Sequence, residues 1–210
     1  MNMHIAIEQG SPEWFAARLG KATASRIADI IATTAKGYST SRANYAADLV
    51  TERLTGAPAP SYENDAMRWG KEKEPEAREA YCFYRDEAVE QVGFIDHPDI
   101  PMSGASPDGL VGNDGLIEIK CPHKTAVHIN TLLQQEISKE YLTQMQWQLS
   151  TTKRRFCDFV SYDPRLPENM RLFTKRIFRD QVVIDRLERE VKLFLSEIDS
   201  TISKLREIYG

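Results

Sequence analysis

Apolar and polar positions along this chain follow two periods. Three-and-four spacing, which gives a helix one buried face, marks the two ends, and two-residue alternation marks the middle. Ser11-Pro12-Glu13-Trp14 predicts a short first helix with Ser11 as N-cap and Pro12 at its first position, ended by Gly20. A second helix is expected from Thr23–Ser25 to about Thr33, and a third from a cap at Thr40 or Ser41 to Gly56. After a Pro-containing loop to Tyr62, Asp65 to Phe83 reads as helix, in which Pro75 either kinks the helix or opens a new segment. Strands follow at Ala88–Ile95, around Met102–Ala105 and on both arms of the stretch Ser106–Lys120. A helix over Glu136–Ser150 precedes two strands, Phe156–Tyr162 and Arg171–Phe178. From Asp180 the tail is one long amphipathic helix, with Ile184, Leu187, Val191, Phe194, Ile198, Leu205 and Ile208 on its apolar stripe. Helices on either side of a central run of strands make an α/β domain with a mixed sheet.

With 210 residues, 41% of them apolar, the chain suits one globular domain spanning residues 1–210. No apolar run approaches the roughly 18 residues that span a bilayer. Met1–Gly10 has no secretory pattern, so a cytoplasmic protein is expected, with no membrane partner. Cys82, Cys121 and Cys157 are odd in number and far apart, which fits reduced core thiols. The histidines at 4, 97, 123 and 128 show no zinc spacing and receive no role. A net charge of −4 excludes coating nucleic acid by bulk charge but not a DNA enzyme with an acidic cation site. Between Lys153 and Arg179 eight Lys or Arg face three Asp or Glu, a basic strip that suits either phosphate recognition or an ordinary solvated surface.

Within Ser106–Lys120, alternation puts Leu116, Glu118 and Lys120 on one face of a strand and Ile117 and Ile119 on the other, which is taken as the core face. Whether Asp108 joins Glu118 depends on the turn. A two-residue loop at Asn113-Asp114 sets Asp108 opposite Ile119, on the wrong face. A three-residue loop, Asn113-Asp114-Gly115, pairs Gly112 with Leu116 and Asp108 with Lys120, and Gly115 suits its left-handed position. The three-residue loop or an equivalent bulge is therefore expected. Two carboxylates beside an ammonium suit magnesium, which takes one or two carboxylates, a carbonyl and a substrate phosphate. The ion polarises the phosphate and acidifies a water, and Lys120 orients that water or offsets charge at phosphorus.

Arg18 in the last turn of the first helix, with Thr23 and Ser25 opening the next, forms a candidate anion site. Capping alone also accounts for Thr23 and Ser25. Tyr141, Gln144 and Gln148 share one helical face.

Read together, Trp14-x-x-x-Arg18-x-Gly20-x-x-Thr23-Ala24-Ser25, Trp69-Gly70-Lys71 followed by Glu74, Ser106-Pro107-Asp108-Gly109, Glu118-Ile119-Lys120-Cys121-Pro122 and Tyr141-x-x-Gln144-x-Gln146 carry a resemblance. In this order they are similar to the lambda-exonuclease, or YqaJ-like viral recombinase, family of the PD-(D/E)XK nuclease superfamily. The resemblance implies a restriction-endonuclease-like core, a mixed central sheet flanked by helices with a long C-terminal helix. It also implies a Mg²⁺-dependent exonuclease, with Mn²⁺ as a substitute, that digests double-stranded DNA ends 5′ to 3′. Such an enzyme releases 5′-mononucleotides and leaves a 3′ overhang for single-strand annealing. By the same resemblance Asp108, Glu118, Glu74 and the Ile119 carbonyl hold metal, and Lys120 assists the attacking water. Arg18, Thr23, Ser25, Ser106 and Gln144 grip the 5′-phosphate. A homotrimeric ring and a single-strand annealing partner are implied too. Pro75, directly after Glu74, departs from the pattern. Two rival readings share these residues: an internally cutting endonuclease, and a DNA-end binding module without catalysis.

Overall fold

The computed structural model describes residues 3–4, by their backbone, and residues 7–59 and 64–210. The end of the Pro-containing stretch to Tyr62 lies outside the described residues. In chain order the elements are β1 (Met3–His4), α1 (Pro12–Arg18), β2 (Ala22–Thr23), α2 (Ile27–Ile31), β3 (Thr33–Thr34), β4 (Gly37–Tyr38), α3 (Thr40–Thr55) and α4 (Asp65–Arg85). The middle holds β5 (Val89–Glu90), β6 (Phe94–Asp96), β7 (Ser103–Ala105), β8 (Gly109–Val111) and β9 (Gly115–Lys120). Then come α5 (Thr125–Gln134), α6 (Lys139–Thr152), β10 (Phe156–Tyr162), β11 (Leu172–Phe178) and α7 (Gln181–Tyr209).

The strands divide between two main sheets. One has the order β1-β6-β7-β2 and the other β11-β10-β9-β8-β5, with β3 and β4 forming a separate hairpin. In the larger sheet β9 and β10 run parallel while the remaining pairs are antiparallel, so the sheet is mixed. A parallel pair needs a crossover, and α5 and α6 supply it. The continuous strand expected over Ala88–Ile95 is corrected here: Val89–Glu90 belongs to the larger sheet and Phe94–Asp96 to the smaller. The chain makes a second transfer between the sheets from β7 to β8, through Ser106-Pro107-Asp108. Both transfers are tied by one side chain, since the Gln9 amide donates to the carbonyls of Val92 (2.8 Å) and Pro107 (2.9 Å). The candidate site grows from this tied corner.

Helix α1 begins as expected, with Ser11 accepting from the Trp14 amide, and Gly20 reverses the chain at φ +69°. The segment after Thr23 is a 3₁₀ turn, Ala24–Arg26, followed by the five residues of α2. The cap of α3 is Ser39, one residue before the expected pair. Pro75 sits inside α4, which runs unbroken to Arg85. No element was expected at α5, because Val127, Ile129 and Leu133 are exposed and His128 alone is buried, so no amphipathic stripe marks it. Helix α6 starts at Lys139, where the Ser138 hydroxyl accepts from the Tyr141 amide.

On α7 the buried stripe runs through Ile184, Leu187, Val191, Phe194, Leu195, Ile198 and Ile202, and packs with α2, α3 and Trp147. Ile208, expected on that stripe, is exposed instead. Helix α4 covers one face of the larger sheet through Ala77 and Tyr81 against Ile117, Ile119 and Val160. Helix α6 covers the other through Met145 and Leu149 against Leu116, Cys157 and Phe159. The three cysteines are free thiols, two of them buried. Among the described residues no helix is long and apolar enough to cross a membrane.

The basic strip is largely consumed by the fold. Arg154 donates to the carbonyls of Gly112 and Gly115 (both 2.8 Å), and Arg176 makes a bidentate pair with buried Asp158. Arg165 pairs with Asp163, Lys153 with Asp99, and Arg179 donates to the Leu149 carbonyl. These cations close turns and balance buried acids, so the strip offers few side chains for phosphate.

His97 is buried with its ring tilted against Trp147, and its Nε2 lies 2.9 Å from the Ser150 hydroxyl. Burial lowers the imidazole to about 4. An unfolded histidine takes its proton near pH 6.5, before the folded one does, so stability is complete above that pH and is lost as pH falls toward 4. The loss from this group alone should reach roughly 3 kcal/mol. Denaturant titrations of wild type and His97→Gln at pH 7 and pH 4.5 check it: the variant should show a shallower decline, and equal declines contradict the assignment.

Candidate active site

The β8–β9 hairpin decides whether the site exists. Gly109 pairs with Ile117, Leu110 with Leu116 and Val111 with Gly115, leaving a three-residue loop, Gly112-Asn113-Asp114. The loop has the expected length but begins one residue earlier, and Gly112, at φ +50°, takes the left-handed position in place of Gly115. Gly115 is instead pinned in the strand, where an added Cβ would meet the Phe156 ring at 2.3 Å. One step beyond the last pair, this register sets Asp108 opposite Glu118. Asp108 therefore shares the face of Glu118 and Lys120, and its pairing with Lys120 is corrected to Glu118.

Asp108 lies just before β8, where its Oδ2 accepts from the Ile119 amide at 2.6 Å. The N–H and C=O of one strand residue point to the same neighbour, so the Ile119 carbonyl also faces the Asp108 side. Burial, then the charges of Glu118 and Glu74, push the Asp108 carboxyl well above its ordinary range. Glu118 is 1% exposed. Its face of the strand is not open to solvent, as the alternation alone suggested, but is roofed by α6. A carboxylate so placed needs donors, and it has three: Gln144 Nε2 (2.7 Å) and Lys120 Nζ (2.6 Å) on Oε1, and Gln148 Nε2 (2.6 Å) on Oε2. Tyr141, on the same face of α6, presents its ring 4.8 Å from the Lys120 ammonium. Burial by itself disfavours charge on Lys120, but Glu118 and Asp108 outweigh it and hold its pKa above the usual lysine range.

Glu74 stands on α4 one turn before Arg78, which holds its carboxylate in an ion pair. Burial raises the Glu74 carboxyl, with Arg78 opposing and Glu118 adding to the rise. Pro75 leaves α4 unbroken, and in this arrangement the partner of Glu74 is Arg78. Among the described residues no three His, Cys, Asp or Glu side chains are gathered into a ready cage for a metal ion. Magnesium does not need one: two carboxylates, a backbone carbonyl and a substrate phosphate suffice. Asp108, Glu118 and the Ile119 carbonyl are such hard-oxygen donors, and the strain on the Asp108 charge is of the kind a dication relieves. The residues fit the ion.

The candidate anion site lies two residues upstream of Asp108. The Ser106 hydroxyl accepts from Arg18 Nη1 (3.2 Å) and from Trp14 Nε1 (2.9 Å), and the guanidinium lies 3.9 Å over the Trp14 ring. Burial lowers Arg18 to about 10, which leaves it charged at neutral pH. Ser25 is exposed on the wall of an open groove of about 340 Å³, facing Lys139 and Thr143 of α6. Thr23 is placed differently from expectation: it is buried and its backbone amide donates to the Tyr45 hydroxyl (3.0 Å), so that N–H is not free for a ligand. Gln144 directs its amide nitrogen to Glu118, which ties the helix that walls this groove to the carboxylates. Arg18 and Ser106 thus come together, Ser25 stands beside the groove, and Gln144 joins the cation side. Gln9 and Gln148 were given no part by sequence. Gln148 had a signal in its spacing from Gln144; Gln9, distant in sequence from what it ties, had none.

A family model described as the YqaJ-like viral recombinase domain matches residues 13–155. An alkaline exonuclease (LHK-Exo) from Laribacter hongkongensis is 50% identical, over 94% of this chain and 97% of that one, with a TM-score of 0.87. Its complex with dAMP superposes equally well, with a TM-score of 0.87 at 51% identity. A phage related exonuclease from Haemophilus somnus 129PT shares the fold, with a TM-score of 0.72 at 20% identity over 88% of this chain and 96% of that one. No curated protein matches. The match spans both the corner that carries Arg18 and Ser106 and the hairpin that carries Asp108, Glu118 and Lys120: the chain has a PD-(D/E)XK-type fold and belongs to the YqaJ-like viral recombinase family.

Proposed function

We propose that this chain is a magnesium-dependent exonuclease that digests double-stranded DNA ends 5′ to 3′, releasing 5′-mononucleotides and leaving a 3′ single-stranded overhang for annealing. The observation that carries the reading is the hairpin register: Asp108 meets Glu118 across β8 and β9, with Lys120 on the same face. The likeness to an alkaline exonuclease at 50% identity supports it.

Asp108, Glu118 and the Ile119 carbonyl would hold the magnesium ion, which when bound would supply positive charge to the scissile phosphate and make a nearby water more acidic. Lys120 donates a hydrogen bond from its ammonium, either orienting that water or offsetting charge at phosphorus. Water forms the new P–O bond, the P–O3′ bond breaks, and a proton passes to the departing 3′-oxygen from solvent. The next nucleotide is left with a 5′-phosphate. Arg18 and Ser106 bind such a group, so every cut regenerates the ligand of the anion site. That cycle favours successive cuts from one end, and ties polarity to the 5′ terminus. A homotrimeric ring around the duplex and a single-strand annealing partner belong to the same proposal.

Linear duplexes labelled at the 5′ or the 3′ end, with and without Mg²⁺, test it beside a closed circular duplex. The 5′ label should be released first as mononucleotide, only with the cation, and the circle should stay intact. Release of the 3′ label first overturns the polarity, and cutting of the circle overturns the end dependence.

A further inference from the structure

Gln148 is wholly buried on α6. A buried amide is costly unless its hydrogen bonds are met, and the acceptor that its nitrogen meets is Glu118 Oε2 at 2.6 Å. The direction of the amide is set from its other end: Gln148 Oε1 lies 3.8 Å from the Cys157 thiol, a donor. Turned around, the amide would set its oxygen against a carboxylate.

A carboxylate has about four lone-pair positions. On Oε1 both are taken, by Gln144 and Lys120, whereas on Oε2 Gln148 takes one. Among the described residues, the free position of Glu118 is therefore on the oxygen that Gln148 holds. We propose that Gln148 is a positioning residue for the cation site, fixing Glu118 Oε2 so that its remaining lone pair is presented to a divalent ion. This rests on the reading that Glu118 binds a cation. Gln148 touches neither DNA nor the reacting phosphate; it acts through Glu118. Partners of this kind, which orient a metal-binding carboxylate from behind, change affinity or activity by about 10- to 100-fold when removed.

Gln148→Met keeps the volume and removes the donor. Titration calorimetry with Mg²⁺ in the absence of DNA should show affinity weakened by about 10- to 100-fold. On end-labelled duplexes at fixed Mg²⁺, kcat should fall while KM for DNA ends stays within about twofold, because the anion site is untouched. Gln146→Met is the comparison: that amide bonds the Phe178 carbonyl and the Asp180 amide, so its loss should lower Tm and leave cation affinity alone. Wild-type cation affinity and kcat in a folded Gln148→Met protein overturn the proposal. Where that variant fails to fold, the wild type decides. Its Gln148 side-chain amide resonance should shift when Ca²⁺ is added, and a resonance that does not move overturns the proposal. A wild type that takes up no divalent ion overturns the functional reading itself; a wild type that binds the ion while Gln148→Met binds it equally well overturns only the role of Gln148.

Discussion

Replacing Lys120 by alanine is expected to lower nucleotide release from linear duplex by about 10²- to 10⁴-fold, the range lost with a positioned proton donor or acceptor, while binding to DNA ends changes little. The asymmetry follows from where the ammonium stands. Lys120 Nζ is 2.6 Å from Glu118 and its side chain is 26% exposed, at the open end of a strand whose other charged residue, Glu118, is roofed over. It is thus the cation of the hairpin that a substrate phosphate can reach. Removing it leaves Glu118 with the amides of Gln144 and Gln148, so the buried carboxylate keeps two donors and the fold survives. Arginine in its place should rescue poorly, because a guanidinium is larger, planar and differently directed. Gel-shift binding of a 5′-phosphorylated duplex in Ca²⁺, beside digestion in Mg²⁺, separates the two effects. Equal loss of binding and cleavage contradicts a role in the chemical step.

That Asp108, Glu118 and Lys120 share a face was legible in sequence because parity is robust. A three-residue loop placed one residue earlier changes each partner by two, and a shift of two returns every side chain to the same face. The register could be wrong by one loop position and the shared face still hold. Burial of that face was not legible. Glu118 alternates with Ile117 and Ile119 as a solvent-facing residue does, and only the packing of Leu116 against Met145 and Leu149 places α6 over it. Gln144 and Gln148 of α6 then become interpretable: on an exposed helix they are ordinary, on a helix that roofs the sheet they are the donors that a buried carboxylate requires. The basic strip misled for a related reason. Arg154 and Arg179 answer to backbone carbonyls, and nothing in a sequence says which carbonyls lack partners. The two-sheet arrangement was hidden as well, since a strand that ends at Glu90 and another that begins at Phe94 look like one apolar run until Gln9 is seen tying Val92 to Pro107. Such long-range ties fix the corner at Ser106–Asp108, where the candidate cation and anion sites meet.

Arg18→Ala is expected to abolish most of the preference for 5′-phosphorylated over 5′-hydroxyl ends. A hydrogen bond to a charged group contributes about 1.5–3 kcal/mol, which is roughly a 10- to 150-fold change in relative rate. Two features make Arg18 the main source. Burial disfavours its charge, so an incoming phosphate gains more from it than from a solvated lysine. Its guanidinium is also held in place over the Trp14 ring and against the Ser106 hydroxyl before any ligand arrives, which lowers the ordering cost on binding. Ser106 retains the Trp14 indole donor when Arg18 is lost, so the corner beside Asp108 stays closed and the chemical step on 5′-hydroxyl ends should be nearly unchanged. Competing the two ends in one digestion, with each duplex carrying a different label, reads the ratio directly. A ratio equal to wild type removes Arg18 from the terminal-phosphate site. A proportional fall on both ends instead assigns Arg18 to holding the Ser106–Asp108 corner, and the 5′ polarity then loses its physical basis.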